Sequence, residues 1–374
     1  MNLSYWERTS FLQNYDYTIV GAGIVGLFTA IEIKKRNSNA KVLVLERSSI
    51  PDGASTKNAG FACFGSISEI IEHRNKTTEQ EFKNLLNKRV AGLKKMREEL
   101  GDKNINYIAS GGYEIFSPKD ELIFQECNSS LKDINSALEN IFDDDVYELK
   151  DDDINKFGFK NVEHLIYTKY EAQIHSGKMM QSLISKAYEY GVQIIFNTEL
   201  LSFEKNDSII LKTNSFNINT NKLLITNNAF AKILFKNLDL KPGRGQIIVT
   251  SEVKNLKLKG NFHYDKGFYY FRNIDNRVLI GGGRNLDFKS EETFENGETE
   301  LVQNELRRLL SEMILPDDKY SIEYSWSGIM AFGTEVTPIV KQIEKNIFCA
   351  VRCNGMGVAM GSLLAEDLVK LAMN

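Results

Sequence analysis

Apolar runs and amphipathic stretches alternate along this chain in a strand–helix–strand rhythm. The rhythm begins with the apolar run 17–20, passes through a segment that has no Gly or Pro from 27 to Arg36, and reaches a second apolar run ending at Leu45. Short apolar runs predict strands, and the longer segment between them predicts a helix. The pattern repeats at 179–190, a helix stopped by Gly191, followed by the strand 192–196. Residues 222–226 predict another strand, ending in Asn227, Asn228 and Ala229. Leu85, Leu86, Val90, Leu93, Met96 and Leu100 recur at helical spacing over 79–100, a stripe expected to pack into a core. Residues 105–116 predict a strand around Gly111 and Gly112, and the acidic stretch 143–153 a solvated boundary. From 245 to 283 the pattern becomes strands alone, at 246–250, 267–272 and 277–281. The first style returns at the carboxyl end, with a strand over 346–351, a tight turn at Asn354-Gly355-Met356-Gly357 and a helix over 358–373.

The first strand runs into Gly21-Ala22-Gly23-Ile24-Val25-Gly26 before its helix opens, and the second strand closes on Glu46. Each part has a physical role in gripping a dinucleotide. Glycine permits the sharp turn at Gly21, brings bare backbone against a pyrophosphate at Gly23, and lets helix and strand pack closely at Gly26. The helix N-terminus offers free N–H groups and partial positive charge to the anion. Glu46 is placed to accept hydrogen bonds from ribose hydroxyls, and its charge repels a 2′-phosphate. The polar strand end at Asn227 is of the kind that lines a cofactor crevice.

A chain of 374 residues exceeds the size at which one core keeps growing, so two domains are expected. Its 42% hydrophobic and 26% charged residues, with only five prolines, describe an ordinary globular protein. A formal net charge of −4 gives no general attraction to nucleic acid or acidic membranes, and no nucleic-acid partner is expected. The amino terminus lacks the apolar core of a signal peptide and no window is apolar enough to span a bilayer, so a cytoplasmic location without a membrane span is expected. Cys63, Cys127, Cys349 and Cys353 are scattered without metal-ligand spacing, which predicts free thiols and no metal.

A nicotinamide enzyme needs only the first βαβ unit, and a reductase using NAD(P)H beside a flavin most often carries a second fingerprint that is missing here. The extra glycine-rich segments 53–60 and 354–361 favour FAD instead. In their order along the chain, Gly21 to Gly26 with Glu46, Ser55-Thr56-Lys57-Asn58-Ala59-Gly60, Gln173-Ile174-His175, Gly243-Arg244-Gly245-Gln246, Tyr269-Tyr270-Phe271-Arg272, Trp326-Ser327-Gly328, Pro338-Ile339 and Asn354-Gly355-Met356-Gly357 resemble the D-amino acid oxidase and glycine/sarcosine oxidase family. The resemblance implies an α/β fold of the glutathione-reductase-like FAD type: a discontinuous Rossmann-like FAD-binding domain (1–85, 150–232 and 325–374) and a β-sheet-rich substrate domain (86–149 and 233–324). It implies non-covalent FAD, since residues 327–337 lack Cys and 53–72 lack His. By the same resemblance the cofactor would meet Gly21, Gly23, Ile24, Val25 and Gly26 at the pyrophosphate turn, with Glu46 and Arg47 beyond it. Ser55, Thr56, Asn58, Ala59 and Gly60 would lie in the loop along the ribityl chain and flavin. Leu200 would serve the adenine, Asn227 the crevice, and Gly355, Met356, Gly357 and Val358 the pyrimidine edge. A helix N-terminus at that last position stabilises the negative charge of a reduced flavin.

In relatives that bind amino acids an arginine commonly follows the Trp-x-Gly segment; here that position is Met330. Arg272 and Arg352 are the alternatives for gripping a carboxylate, each with a second reading as a surface or domain-interface ion pair. Tyr270, Arg272, Trp326, Met330 and Arg352 are the candidate substrate-side residues, with Tyr270 and Arg272 on one strand face and Tyr269 on the other. His175 reads as structural, and His263 as either cavity wall or scaffold. The activity implied is oxidation of the C–N bond of a small amine or amino acid to an imine, by hydride transfer to flavin N5, with oxygen, a quinone or a protein as electron acceptor. A tRNA-modifying flavoprotein of the same family is the other reading, and its mark would be a basic groove.

Overall fold

Two eight-stranded sheets organise the chain in the computed structural model, which describes residues 2–206 and 208–374. The first has a parallel centre in the order Ile347–Val351, Asn217–Ile225, Tyr15–Val20, Val42–Leu45 and Gln193–Ile195. Val42–Leu45 and Ile347–Val351 are buried along their whole length, as strands covered on both faces must be. Helices Ile24–Arg36, Ser176–Glu189 and Gly357–Met373 cover one face through a core that includes Leu27, Ile31, Leu183 and Leu368. The antiparallel ladder Leu200–Lys205, Ile209–Thr213 and Asn217–Ile225 supports the other, around Leu211, Leu223 and Phe235. The sequence-predicted helices and strands of this half are present with shifts at their ends, the largest at the strand expected over 222–226, which begins five residues earlier at Asn217.

The second sheet runs Ile322–Phe332, Lys241–Thr250, Arg277–Gly282, Tyr269–Ile274, Asn261–Tyr264, Gly112–Phe116, His164–Thr168 and Glu148–Leu149. It is antiparallel except where Asn261–Tyr264 runs parallel to Gly112–Phe116. Two strands grouped by sequence with the FAD-binding segments, His164–Thr168 and Ile322–Phe332, therefore run in this second sheet. The strand expected over 105–116 is shorter. Asp102–Ile105 is a helical turn, Ile108 makes a single bridge to Gln173, and the strand proper begins at Gly112, after Gly111 turns at a φ of 70°. The acidic stretch is only partly a solvated boundary. Val146 and Tyr147 within it are buried, and Asp151 accepts hydrogen bonds from the Leu165 amide and the His164 ring.

Helix Glu79–Leu100 bridges the halves by lying against Gly357–Met373, with the apolar stripe read from the sequence turned inward. The approach is close because Gly92 faces the Ala359 carbonyl, where a Cβ would overlap it, and Ser362 donates to the Gly92 carbonyl at 2.8 Å. His175 caps Ser176–Glu189 by accepting from the Lys178 amide through Nδ1, so its structural reading holds.

A buried ion pair ties the second-sheet strand Asn261–Tyr264 to Glu171, in the segment that follows His164–Thr168. His263 Nε2 lies 3.0 Å from both carboxylate oxygens of Glu171. Burial pulls the imidazole pKa down, but the Glu171 charge and hydrogen bond, with Glu69 and Glu114, outweigh it and raise the value to about 9. Folding thus favours the imidazolium. Its stabilisation is complete below the ordinary value of 6.5 and is lost as pH rises through about 9. Between those two pH values the wild-type protein should lose on the order of 1–3 kcal/mol more stability than His263→Gln, which cannot titrate. Denaturant melts across that range check this; equal slopes for the two proteins contradict it.

Gly26 generates a second prediction. A Cβ there would overlap the Gly21 carbonyl oxygen and come within 2.7 Å of Thr226 Oγ1. Alanine would gain about 1 kcal/mol in helix propensity, but the clash is with backbone that cannot move without opening the turn, at a cost of about 1–3 kcal/mol or more. Gly26→Ala should therefore lower the denaturation midpoint, and an unchanged or raised midpoint would show the turn to be looser than described.

Candidate functional site

The chain leaves Tyr15–Val20 towards Val42–Leu45 on one side, whereas Asn217–Ile225 is followed across the sheet by Ile347–Val351. The carboxyl ends of this adjacent pair form the switch point at which open parallel sheets hold ligands. Gly21, at φ 101°, turns there, and a Cβ on it would stand 3.2 Å from the Asn227 Cα. Asn227 Oδ1 is buried without a hydrogen-bond partner at this point. The Ile24 amide donates to Ser55 Oγ at 3.0 Å, so the loop hydroxyl sits on the helix N-terminus. Glu46 accepts from the amides of Ala22 (3.0 Å) and Ser48 (3.1 Å). Burial outweighs those bonds and raises its carboxyl pKa.

From this point a cavity of about 480 Å³ crosses the seam between the two sheets. On the first-sheet side its wall includes Arg47, Thr198, Leu200 and Phe230, with the Arg47 guanidinium 3.8 Å from the centre of the Phe230 ring. Residues Gly355 to Val358 also line it, and helix Gly357–Met373 begins without a side-chain cap. Nothing lies within 4 Å of the point where a Gly355 Cβ would sit.

The loop 53–61 forms another wall and is fastened at its middle and at its carboxyl end. Trp326 Nε1 donates to the Lys57 carbonyl at 3.0 Å. Asn58 donates to the Ser55 carbonyl at 2.6 Å, and its Oδ1 accepts from the Gly60 amide and the Ser176 hydroxyl. Arg272 donates to the carbonyls of Gly60 and Ile174, and burial lowers its pKa to about 10.

The facing wall is one side of the second sheet, built on glycine. Gly243 and Gly245 point to the cavity side, while Arg244 and Gln246 point behind it to Glu291, Thr299 and Gln303. A Cβ on Gly243 would meet the Phe332 ring at 2.5 Å, one on Gly245 the Met330 Cε at 2.9 Å, and one on Gly281 the Tyr270 ring at 2.6 Å. Absent side chains on these strands thus let Phe332, Met330 and Tyr270 lie down across the sheet. Phe61 sits edge-on to both Tyr270 (5.8 Å between centroids) and His263 (5.4 Å).

Most of the sequence-selected residues meet on this cavity: Gly21, Gly23, Ile24, Val25, Glu46, Arg47, Ser55, Asn58, Ala59, Leu200, Asn227, Gly355 to Val358, Tyr270 and Met330. Gly26, Thr56 and Gly60 stand behind its wall, the first packing helix on strand and the last two within the loop fold. Arg272 and Trp326 are also off the lining, because carbonyls of the loop use their donors. Arg352 is 3% exposed and held by Asp239 and the Thr337 carbonyl, the interface ion pair of its second reading. Tyr269 is core, as alternation required. His263 lines the cavity yet is committed to Glu171, and Cys63 Sγ lies with those two side chains within a 4.8 Å cluster. Sequence reading missed Phe61, Phe230, Arg284 and Phe332. Phe332 was available from its even spacing with Gly328 and Met330; the others come together only through the fold.

Known proteins agree with this architecture. "Probable oxidoreductase OrdL" of Haemophilus influenzae is 22% identical over 394 residues, covering 96% of this chain and 84% of that protein. Among solved structures, glycine oxidase from Geobacillus kaustophilus superposes with a TM-score of 0.76 at 19% identity, covering 96% of this chain and 95% of that one. L-proline dehydrogenase from P. horikoshii gives 0.75 at 16% identity (96% and 94%), and iminodiacetate oxidase from Chelativorans sp. BNC1 gives 0.74 at 17% (96% and 95%). At these identities the structures show a shared fold. The family model described as FAD dependent oxidoreductase matches residues 16–371, and the chain therefore belongs to the DAO family of FAD-dependent oxidoreductases.

Proposed function

We propose that the cavity holds FAD across the seam and that the enzyme oxidises the C–N bond of a small amine or amino acid to an imine. The observation that carries this reading is the single cavity joining the Gly21–Gly23 turn to the Tyr270 and Met330 wall. The residues fit the cofactor. Asn227 Oδ1 is an unpartnered buried acceptor at the turn, Gly23 brings bare backbone to the cavity, and the uncapped helix Gly357–Met373 presents free N–H groups and partial positive charge. FAD, when bound, supplies the two-electron acceptor.

The chain's own groups bind, orient and exclude water. The Trp326 and Arg272 hydrogen bonds hold the 53–61 loop at fixed distance from the second sheet, which sets the width of the cavity. Burial raises the Tyr270 hydroxyl to about 12, so it is neutral near pH 7 and available to donate to a substrate atom. Met330, Phe332 and Phe61 give that region apolar walls. Electrons leave to oxygen, a quinone or a protein acceptor in this reading; no helix among the described residues is long and apolar enough to cross a membrane.

The purified protein, loaded with FAD and kept without oxygen, should lose its visible flavin absorbance on mixing with one member of a panel of amines, N-methyl amino acids and D- or L-amino acids. Gly23→Val supplies the control. Its Cβ meets the Ser55 side chain (Oγ at 2.8 Å) and no backbone, so that hydroxyl can turn away from the Ile24 amide and the variant should fold, yet hold FAD about 100-fold more weakly, because the side chain fills the pyrophosphate approach. A loaded protein that no C–N substrate bleaches contradicts the proposed reaction, and undiminished FAD binding by Gly23→Val contradicts the proposed position.

A further inference from the structure

The strand position that carries an arginine in amino-acid-binding relatives is Met330 here, and the two guanidiniums suggested in its place are committed elsewhere. A third faces the cavity. Arg284 follows the strand Arg277–Gly282 through Gly283, whose φ of 81° turns the chain at the strand end. Its guanidinium carbon stands 3.6 Å from the centre of the Phe332 ring and 5.0 Å from that of Phe288. Its Nη1 lies 3.5 Å from the point where a Cβ on Gly243 would be, and Gly243 is the register partner of Met330. The charge therefore occupies the same face of the sheet, and the same row, as the missing arginine.

The surroundings leave this guanidinium without a counter-ion. Among the described residues it forms no ion pair and its side chain makes no hydrogen bond; half-burial alone depresses its pKa. Of the other cations on the cavity, Lys57 pairs with Asp52 and His263 with Glu171, Arg47 lies at the far wall on Phe230, and Lys266 is exposed to water, where an unpaired charge costs little. A guanidinium partly withdrawn from water and unpaired is an unfavourable arrangement that an incoming carboxylate relieves, through charge-assisted and bidentate bonds. The Phe332 ring fixes one face of the guanidinium by cation–π contact and leaves its N–H edge free. Gly243 is what allows Phe332 to lie there.

We propose that Arg284, shelved on Phe332, binds the carboxylate of the substrate, which makes the substrate a carboxylate-bearing amine such as an amino acid or N-substituted amino acid. This rests on the cavity being the flavin site proposed above. The grip comes from the turn after Arg277–Gly282 instead of from Ile322–Phe332, and Met330 supplies apolar wall between Arg284 and the Tyr270 hydroxyl.

The test uses the FAD-loaded enzyme and small probes: acetate, glycolate and benzoate against their uncharged amides, titrated while the visible flavin spectrum is followed. The wild-type protein should bind the carboxylates at least about 10-fold more tightly than the amides. Arg284→Met should weaken carboxylate binding by about 100-fold and leave amide binding unchanged, with Arg284→Lys between them because it keeps the charge and loses the fork. The flavin spectrum of each variant reports its loading before any probe is added, so loss of the cofactor is distinguished from loss of the anion site. Carboxylate binding by Arg284→Met within about 3-fold of wild type, or a wild-type protein that does not distinguish carboxylates from amides, overturns the assignment. A wild-type protein that takes up no FAD overturns the site itself.

Discussion

Close backbone approach at the end of the parallel sheet is the constraint on which the rest depends. Gly26 lets the helix press against the Gly21 carbonyl, Gly21 turns the strand beside Asn227, and Ser55 reaches the Ile24 amide from the loop. Only residues without a Cβ permit the first two contacts. Once they are made, the helix N-terminus, the strand end and the loop converge on one point. An acceptor left without a partner there, Asn227 Oδ1, is the local cost of that convergence.

The same economy of side chains shapes the opposite wall. Glycines at 243, 245 and 281 leave room for Phe332, Met330 and Tyr270 to lie across the strands, while the alternate residues Arg244 and Gln246 anchor the sheet from behind through Glu291, Thr299 and Gln303. Between the two walls, long polar side chains act as fasteners: Trp326 on Lys57, Arg272 on Gly60 and Ile174. Their removal would be expected to loosen a wall and not to abolish a chemical group. A residue next to an active site can thus be indispensable to its shape without touching what binds there.

What could be read in the sequence follows from which signals are local. Gly21 to Gly26, Glu46 and the 354–357 turn were legible because their spacing is set by contacts within one βαβ unit or one helix start. Strand period alone put Tyr269 and Tyr270 on opposite faces, and the fold decided which of them is core. Arg272, Arg352 and Trp326 could not be assigned that way, since whether a donor faces a ligand or a carbonyl depends on segments distant in sequence: Arg272 and Gly60 are 212 residues apart, Trp326 and Lys57 269, and Arg352 and Asp239 113. Arg284 gave no signal, because its meaning comes from Phe332 and Gly243 across three strands. The short strand at Gly112 and the placement of His164–Thr168 and Ile322–Phe332 in the second sheet are likewise long-range outcomes of pairing.

In the proposed function one cavity, running from the Gly21–Gly23 turn to the Gly245 face of the second sheet, holds the cofactor and presents its reacting end to Tyr270 and Met330. A crystal structure of the FAD-loaded protein tests it most directly. The pyrophosphate is expected at the amino end of Ile24–Arg36, within about 3 Å of backbone amides there, and the flavin between the 53–61 loop and the glycine-floored strands. A dinucleotide bound elsewhere, or a flavin facing away from Tyr270, would contradict it.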